Sequence, residues 1–121
     1  SSPLLLACYR GNTDVALFLA DKTKNINYNS GMGTALMATV MSGNATIVEK
    51  LIAVKADLNL ADTSGKTALI YATFFNKINI AKLLLQAGAD KNAKDVDNRT
   101  ALDYANFNKN TELIILLNKQ P

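Results

Sequence analysis

The sequence predicts an all-α repeat solenoid: four helix-turn-helix units stacked side by side and joined by polar loops. Three observations carry that prediction. Thr34-Ala35-Leu36-Met37-Ala38-Thr39, Thr67-Ala68-Leu69-Ile70-Tyr71-Ala72 and Thr100-Ala101-Leu102-Asp103-Tyr104-Ala105 begin 33 residues apart, and Ser2-Pro3-Leu4-Leu5-Leu6-Ala7 begins 32 residues before the first of them. Ala56-Asp57-Leu58-Asn59 and Ala89-Asp90-Lys91-Asn92 keep the same 33-residue period, with Lys24-Asn25-Ile26-Asn27 at the matching place upstream. Apolar residues within each period recur at helical spacing. Self-similarity at a period of this size is the signature of a repeat array.

In the first unit, residues 1–30, Ser2 is a good N-cap because its hydroxyl can accept from a free backbone N–H. Pro3 follows where a missing N–H costs nothing, and Gly11, nine residues after the cap, reads as a left-handed stop. A second helix is expected over 14–20. In the second unit, 31–64, Thr34 is the cap and Gly43 the stop, with a second helix over 46–53. In the third, 65–97, Thr67 caps and Asn76 takes the stop position, a conformation that Asn tolerates. Its second helix, 79–86, places Ile80, Leu83 and Leu84 at helical spacing. In the fourth, 98–121, Thr100 caps, Lys109 is a poorer stop, and the second helix covers 111–118. Stretches such as Ala61-Asp62-Thr63-Ser64-Gly65-Lys66 are turns between units. A unit of this size cannot bury its own apolar face, so neighbours must cover it.

The Thr-x-Leu-x-x-Ala opening, the Gly nine residues on, the Gly88-Ala89-Asp90-Lys91-Asn92 ending and the 33-residue period resemble ankyrin repeats over essentially the whole chain. The resemblance implies L-shaped units with hairpin-like loops projecting sideways and first helices lining a concave face. It also implies core positions at Leu4, Leu36, Leu69 and Leu102, at Ala7, Ala72 and Ala105, and at Val15, Ile47, Ile80 and Leu113. Two departures stand out. The family's usual proline is Ala35, Ala68 and Ala101, and its usual histidine is Leu5, Met37, Ile70 and Asp103, so apolar packing is expected in place of a Thr–His hydrogen bond. Lys55 also stands where the next unit has Gly88. Asn27, Asn59 and Asn92 are expected to be structural, holding the loop turns, with Asn59 and Asn92 sheltered and bonded to backbone.

Repeat arrays need end units with polar outer faces. Leu102-Asp103-Tyr104-Ala105 resembles a closing unit, and Asn118-Lys119-Gln120-Pro121 is polar, so the C-terminus reads as natural. The first unit carries Leu17, Phe18 and Leu19 where the second mixes in Glu49 and Lys50. The expectation is therefore a single repeat domain, 1–121, cut from a longer chain at its N-terminus, with Phe18 more exposed than its counterpart Leu83.

Composition narrows function. Apolar residues are 49% of the 121, too many for a disordered chain. The net charge of +3 comes from scattered lysines and forms no basic tract, which argues against a dedicated nucleic-acid surface. No apolar run is long enough to span a membrane. There is no histidine, and Glu49 and Glu112 are the only glutamates, so no acid–base pair or metal cage can be assembled. The chain is read as non-catalytic and without cofactor. Gly65-Lys66-Thr67 mimics the end of a P-loop, but Leu60 stands where the first glycine belongs, and the repeat accounts for all three residues as a turn, an exposed lysine and a cap. Asp95 and Asp97 read as a solvated loop, and Cys8 as a small packed side chain.

One constellation remains. Seven residues after each cap stand Tyr9, Met41, Phe74 and Phe107, with Phe75 following Phe74 and Tyr71 four residues after its cap. In the family this position faces the groove. The leading reading is a monomeric protein-binding module that grips another protein or peptide along this stripe. Lys66 and Arg99 on the loops complete the candidate site. A nucleic-acid-binding segment and a purely structural spacer are the alternatives, and no small-molecule substrate is expected. The sequence leaves the compartment open, with the cytoplasm slightly favoured over export.

Overall fold

The computed structural model describes residues 2–119. Ser1, Gln120 and Pro121 lie outside the described residues, and with them part of the polar C-terminal end expected above. Eight helices follow one another: α1 (Pro3–Arg10), α2 (Thr13–Lys22), α3 (Ala35–Ser42), α4 (Ala45–Ala53), α5 (Ala68–Phe74), α6 (Ile78–Gln86), α7 (Ala101–Phe107) and α8 (Thr111–Asn118). No strand occurs among the described residues. The first helices α1, α3, α5 and α7 pack in sequence order as one layer, and α2, α4, α6 and α8 form a second layer behind them. The four-unit solenoid is as predicted. The second helices begin a residue earlier than expected in the first three units, and α2 runs two residues further, to Lys22.

Local chemistry explains the boundaries. The hydroxyls of Ser2, Thr34, Thr67 and Thr100 each accept from the backbone N–H three residues on, at 3.2–3.3 Å. Thr100 and Asp103 close a reciprocal capping box, with the Asp103 carboxylate accepting from the Thr100 N–H at 2.8 Å. The family's histidine position is thus filled by buried Met37 and Ile70 in the middle and by this carboxylate in the last unit. Gly11, Gly43, Asn76 and Lys109 all adopt positive φ, so each stop has the handedness the spacing predicts.

Leu36 and Leu69 from the first helices meet Ile47, Ile80 and Leu113, and Leu51, Leu84 and Leu117, from the second to form a continuous buried ladder. Two expected core residues depart from it. Val15 is 43% exposed and Leu102 only partly buried. In a solenoid each side chain is covered by the units on either side, and both residues lie in end units with one neighbour. The same geometry leaves Phe18 exposed while Leu83 is partly buried.

The loop asparagines correct part of the sequence reading. Asn27 Oδ1 accepts from the Asp57 N–H at 2.7 Å and Asn59 Oδ1 from the Asp90 N–H at 2.8 Å, so each ties its loop to the next unit. Asn59 and Asn92 are nevertheless exposed, not sheltered. The bond runs forward along the stack, and Asn92, in the last loop, has no such partner among the described residues.

Lys55 occupies the left-handed region at φ 67°, where its counterpart Gly88 has φ 95°. A β-carbon costs roughly 1–2 kcal/mol there, partly offset by the entropy a glycine adds to the unfolded chain. Lys55→Gly should therefore stabilise the domain by about 0.5–1 kcal/mol. A thermal melt should show a rise of a few degrees. Gly65 is the opposite case. At φ 76°, a β-carbon built on it would stand 2.8 Å from the backbone nitrogen of Val96 and 3.0 Å from Asp95 Cα. That nitrogen donates to the Ser64 carbonyl at 3.0 Å and holds two loops together. Gly65→Ala should cost at least about 2 kcal/mol in urea denaturation, from strain and clash together.

Candidate partner-binding groove

The hairpin loops lie against the first helices, and a groove runs between them. Each loop closes on itself: Asp62 N–H donates to the Lys66 carbonyl at 3.1 Å and Asp95 N–H to the Arg99 carbonyl at 3.0 Å. Successive loops are joined by Thr63 N–H to the Gly31 carbonyl at 3.0 Å, matching the bond from Val96 to Ser64.

Two aspartates lock these loops to the helices. Tyr71 on α5 donates its hydroxyl to Asp62, and Tyr104 on α7 donates to Asp95. The other carboxylate oxygen gathers loop N–H groups: Ser64 and Lys66 at 3.0 Å for Asp62, Asp97 and Arg99 at 2.9 and 3.1 Å for Asp95. Lys66 Nζ lies 3.4 Å from Asp95 Oδ2 and 5.6 Å from the centre of the Tyr104 ring. Burial alone would raise the Asp95 carboxyl. The Tyr104 hydroxyl, the two loop N–H groups and Lys66 outweigh it and hold it at about 2. Asp62 is lowered in the same way against its own burial, by Tyr71, Ser64 and Lys66. Burial and the bond to Asp62 raise Tyr71. Burial opposes the Lys66 ammonium, but Tyr104 and Asp95 prevail and raise it.

This lock corrects two sequence readings. Asp95 is buried, not solvated, and the Lys66 side chain is 15% exposed and committed to Asp95. Of the two loop cations in the candidate site, Arg99 alone stands exposed. A signal for the lock was present. Asp62 and Asp95 are 33 apart and each is followed nine residues later by tyrosine, while the first loop pairs Asn29 with Ala38 at those places. The acid occurs where there is a hydroxyl to receive.

The predicted stripe stays outside the core. Tyr9 is 67% exposed, Met41 39%, Phe74 39% and Phe107 78%, while their helix neighbours Cys8, Val40, Thr73 and Tyr104 are buried. The middle of the stripe is also packed. The Phe74 ring meets Phe75 edge-on at 4.9 Å and Tyr104 at 5.4 Å, and Tyr71 lies parallel to Phe75 at 6.1 Å. Phe74 therefore both faces the groove and braces α5 against α7. Two cavities open along the groove. One, about 560 Å³, is lined by Phe74, Arg99, Asp103, Tyr104 and Phe107. The other, about 300 Å³, includes Leu5, Tyr9, Met32, Met37 and Met41. Met32, on the first loop, escaped the sequence reading because it lies outside the repeated helix positions.

Among the described residues no cluster of three or more Cys, Asp or Glu is placed to hold a metal, and no helix is long and apolar enough to cross a membrane. Cys8 is buried and its thiol is pushed up by that burial, so it is poorly ionised and sheltered.

No curated protein matches the chain. The family described as ankyrin repeats (3 copies) matches residues 4–95 and again 36–120. Each match spans about three units, and together they cover the four helix pairs. With its period, caps, loops and two-layer stack accounted for, the chain belongs to the ankyrin repeat family.

Proposed function

We propose that the chain is a non-catalytic module that binds a segment of another protein in the groove between its first helices and its loops. Ankyrin repeats are generally protein–protein interaction modules, and the family is typically non-catalytic. The observation that carries the groove reading is the stripe of Tyr9, Met41, Phe74 and Phe107, exposed at one repeat position in all four units. Scattered apolar residues on a surface are ordinary, whereas a contiguous row marks an interaction site. The aspartate–tyrosine locks support the same reading. They fix the loops against the helices before a partner arrives, which lowers the ordering cost of binding. The commitment of Lys66 to Asp95 weakens the alternative of a nucleic-acid surface, which needs free cations.

A photo-crosslinking residue tests the location. Placed at Phe107 it should capture a partner from cell extract, and placed at the exposed Lys82 on α6 it should not. Equal capture from both positions, or capture from Lys82 alone, would move the site out of the groove.

A further inference from the structure

We infer that the outer face of the first helix pair is a self-recognition surface, on which a second copy of this chain docks about a two-fold axis, α2 against α2. The inference is independent of the groove reading above.

The face is apolar and unpartnered. Phe18 is 63% exposed, where Lys50, Leu83 and Leu116 at the same repeat position are half-buried. Val15 is exposed where Ile47, Ile80 and Leu113 are buried, and Leu6 where Ala38 and Tyr104 are buried. In the later units the preceding helix pair supplies this cover.

Two arrangements of a second copy cover the face, head to tail and head to head. The far end of the stack argues against the first. There Asn106 stands exposed at the position that Cys8, Thr39 and Thr73 fill in full burial. Pressing that amide onto Leu6, Val15 and Phe18 would strip it of water without giving it a partner.

The first face is complementary to itself. Asp14, Phe18 and Lys22 are each four residues apart and form one ridge along α2, with opposite charges at equal distances on either side of the ring. All three are exposed, and neither charge has an ion-pair partner among the described residues. Lys22 lies over the Phe18 ring, its Nζ 5.4 Å from the centre. A two-fold axis through Phe18 sets α2 antiparallel to its copy. The two rings then meet at the axis, and Asp14 of each copy faces Lys22 of the other. Ridges of this i±4 kind interlock in the commonest class of helix packing. Val15 and Leu6 flank the ring contact. The remaining charges at this end lie off the ridge: Asp21 is paired with Lys50 at 2.7 Å, Arg10 ends α1, and Lys24 stands beyond α2.

The contact is small. α2 has 10 residues, so it is about 15 Å long, and a face two such helices wide falls short of the roughly 800 Å² per partner of a standard interface. The dimer is therefore weak, with a Kd on the order of 100 μM, and the monomer expected from the sequence is its dilute form.

Analytical ultracentrifugation of the full chain from about 10 μM to about 1 mM tests this, because mass action carries a weak dimer across that range. The mass should rise from 13.0 kDa toward twice that value and stop there. Phe18→Glu should weaken association roughly tenfold or more, since it buries unpaired charge. Asp14→Lys and Lys22→Asp should each do the same, because like charges then face each other twice. An equimolar mixture of those two variants should dimerise again, because every pair across the axis then joins a lysine to an aspartate. All three positions are exposed, so circular dichroism should show each variant folded. A natural chain that stays at 13.0 kDa would overturn the inference. So would growth past the dimer, which marks head-to-tail stacking, or a dimer indifferent to Phe18→Glu. A dimer that Phe18→Glu breaks but that the mixture does not restore would overturn the antiparallel two-fold pairing.

Discussion

Asp95→Asn should destabilise the domain by about 3 kcal/mol, the lower end of the cost of removing one partner from a buried ion pair. The carboxylate has four partners at once: the Tyr104 hydroxyl, the N–H groups of Asp97 and Arg99, and the Lys66 ammonium. An amide can still accept from the loop. It cannot offset the charge of Lys66, which is largely shut off from water, and its NH₂ group meets the Lys66 ammonium or the Tyr104 hydroxyl in place of an acceptor. The pH dependence carries the same signature. The folded-state carboxyl sits at about 2, below its ordinary value of 3.8. A depressed carboxyl contributes stability that is fully present above its unfolded value and is lost as pH falls through the folded one. Urea midpoints of the natural chain should therefore fall between about pH 4 and pH 2. The Asn variant should lose less over that window, Asp62 supplying the remaining slope in the same direction. Parallel pH profiles for the two proteins would show that Asp95 is not the group responsible.

The fold was legible because its determinants are local and repeated. A hydroxyl cap, a left-handed stop nine residues on and a helical apolar pattern are written within each unit, and four copies reinforce one another. What escaped was whatever depends on the unit next door. Val15 and Leu102 occupy the right positions in their own units and lose burial only for want of a neighbour. Asp95 looks like any loop acid until the α7 tyrosine is brought beneath it. Lys66 reads as a surface lysine until the following loop supplies its carboxylate. The stripe was legible as a repeated position, since Tyr9, Met41, Phe74 and Phe107 recur at one offset from the cap. The make-up of the two cavities along it was not, because Met32 and Arg99 join them from loops whose approach to the helices no spacing rule encodes.

The double substitution Phe74→Ala, Phe107→Ala should lower partner affinity a hundredfold or more, about 2.8 kcal/mol at 1.4 kcal/mol per tenfold step. The stability cost should come almost wholly from one residue. Phe107 is 78% exposed and makes no ring contact with another aromatic among the described residues, so its loss removes little from the fold. Phe74 is more than half buried and sits edge-on to Phe75 and Tyr104. Such ring pairs contribute about 0.5–1.5 kcal/mol each beyond area burial, and Phe75 and Tyr104 remain to close part of the gap. With the buried part of the side chain added, a loss of about 2–4 kcal/mol is expected, and the helical circular dichroism at 25 °C should be retained. The single variants separate the two contributions: Phe107→Ala should lower affinity at nearly unchanged melting temperature, while Phe74→Ala should lower both. An unfolded double variant would place these rings in the core and reduce the stripe to packing. A folded double variant that binds unchanged would move the site to the loop tips around Thr63, Ser64, Val96 and Arg99.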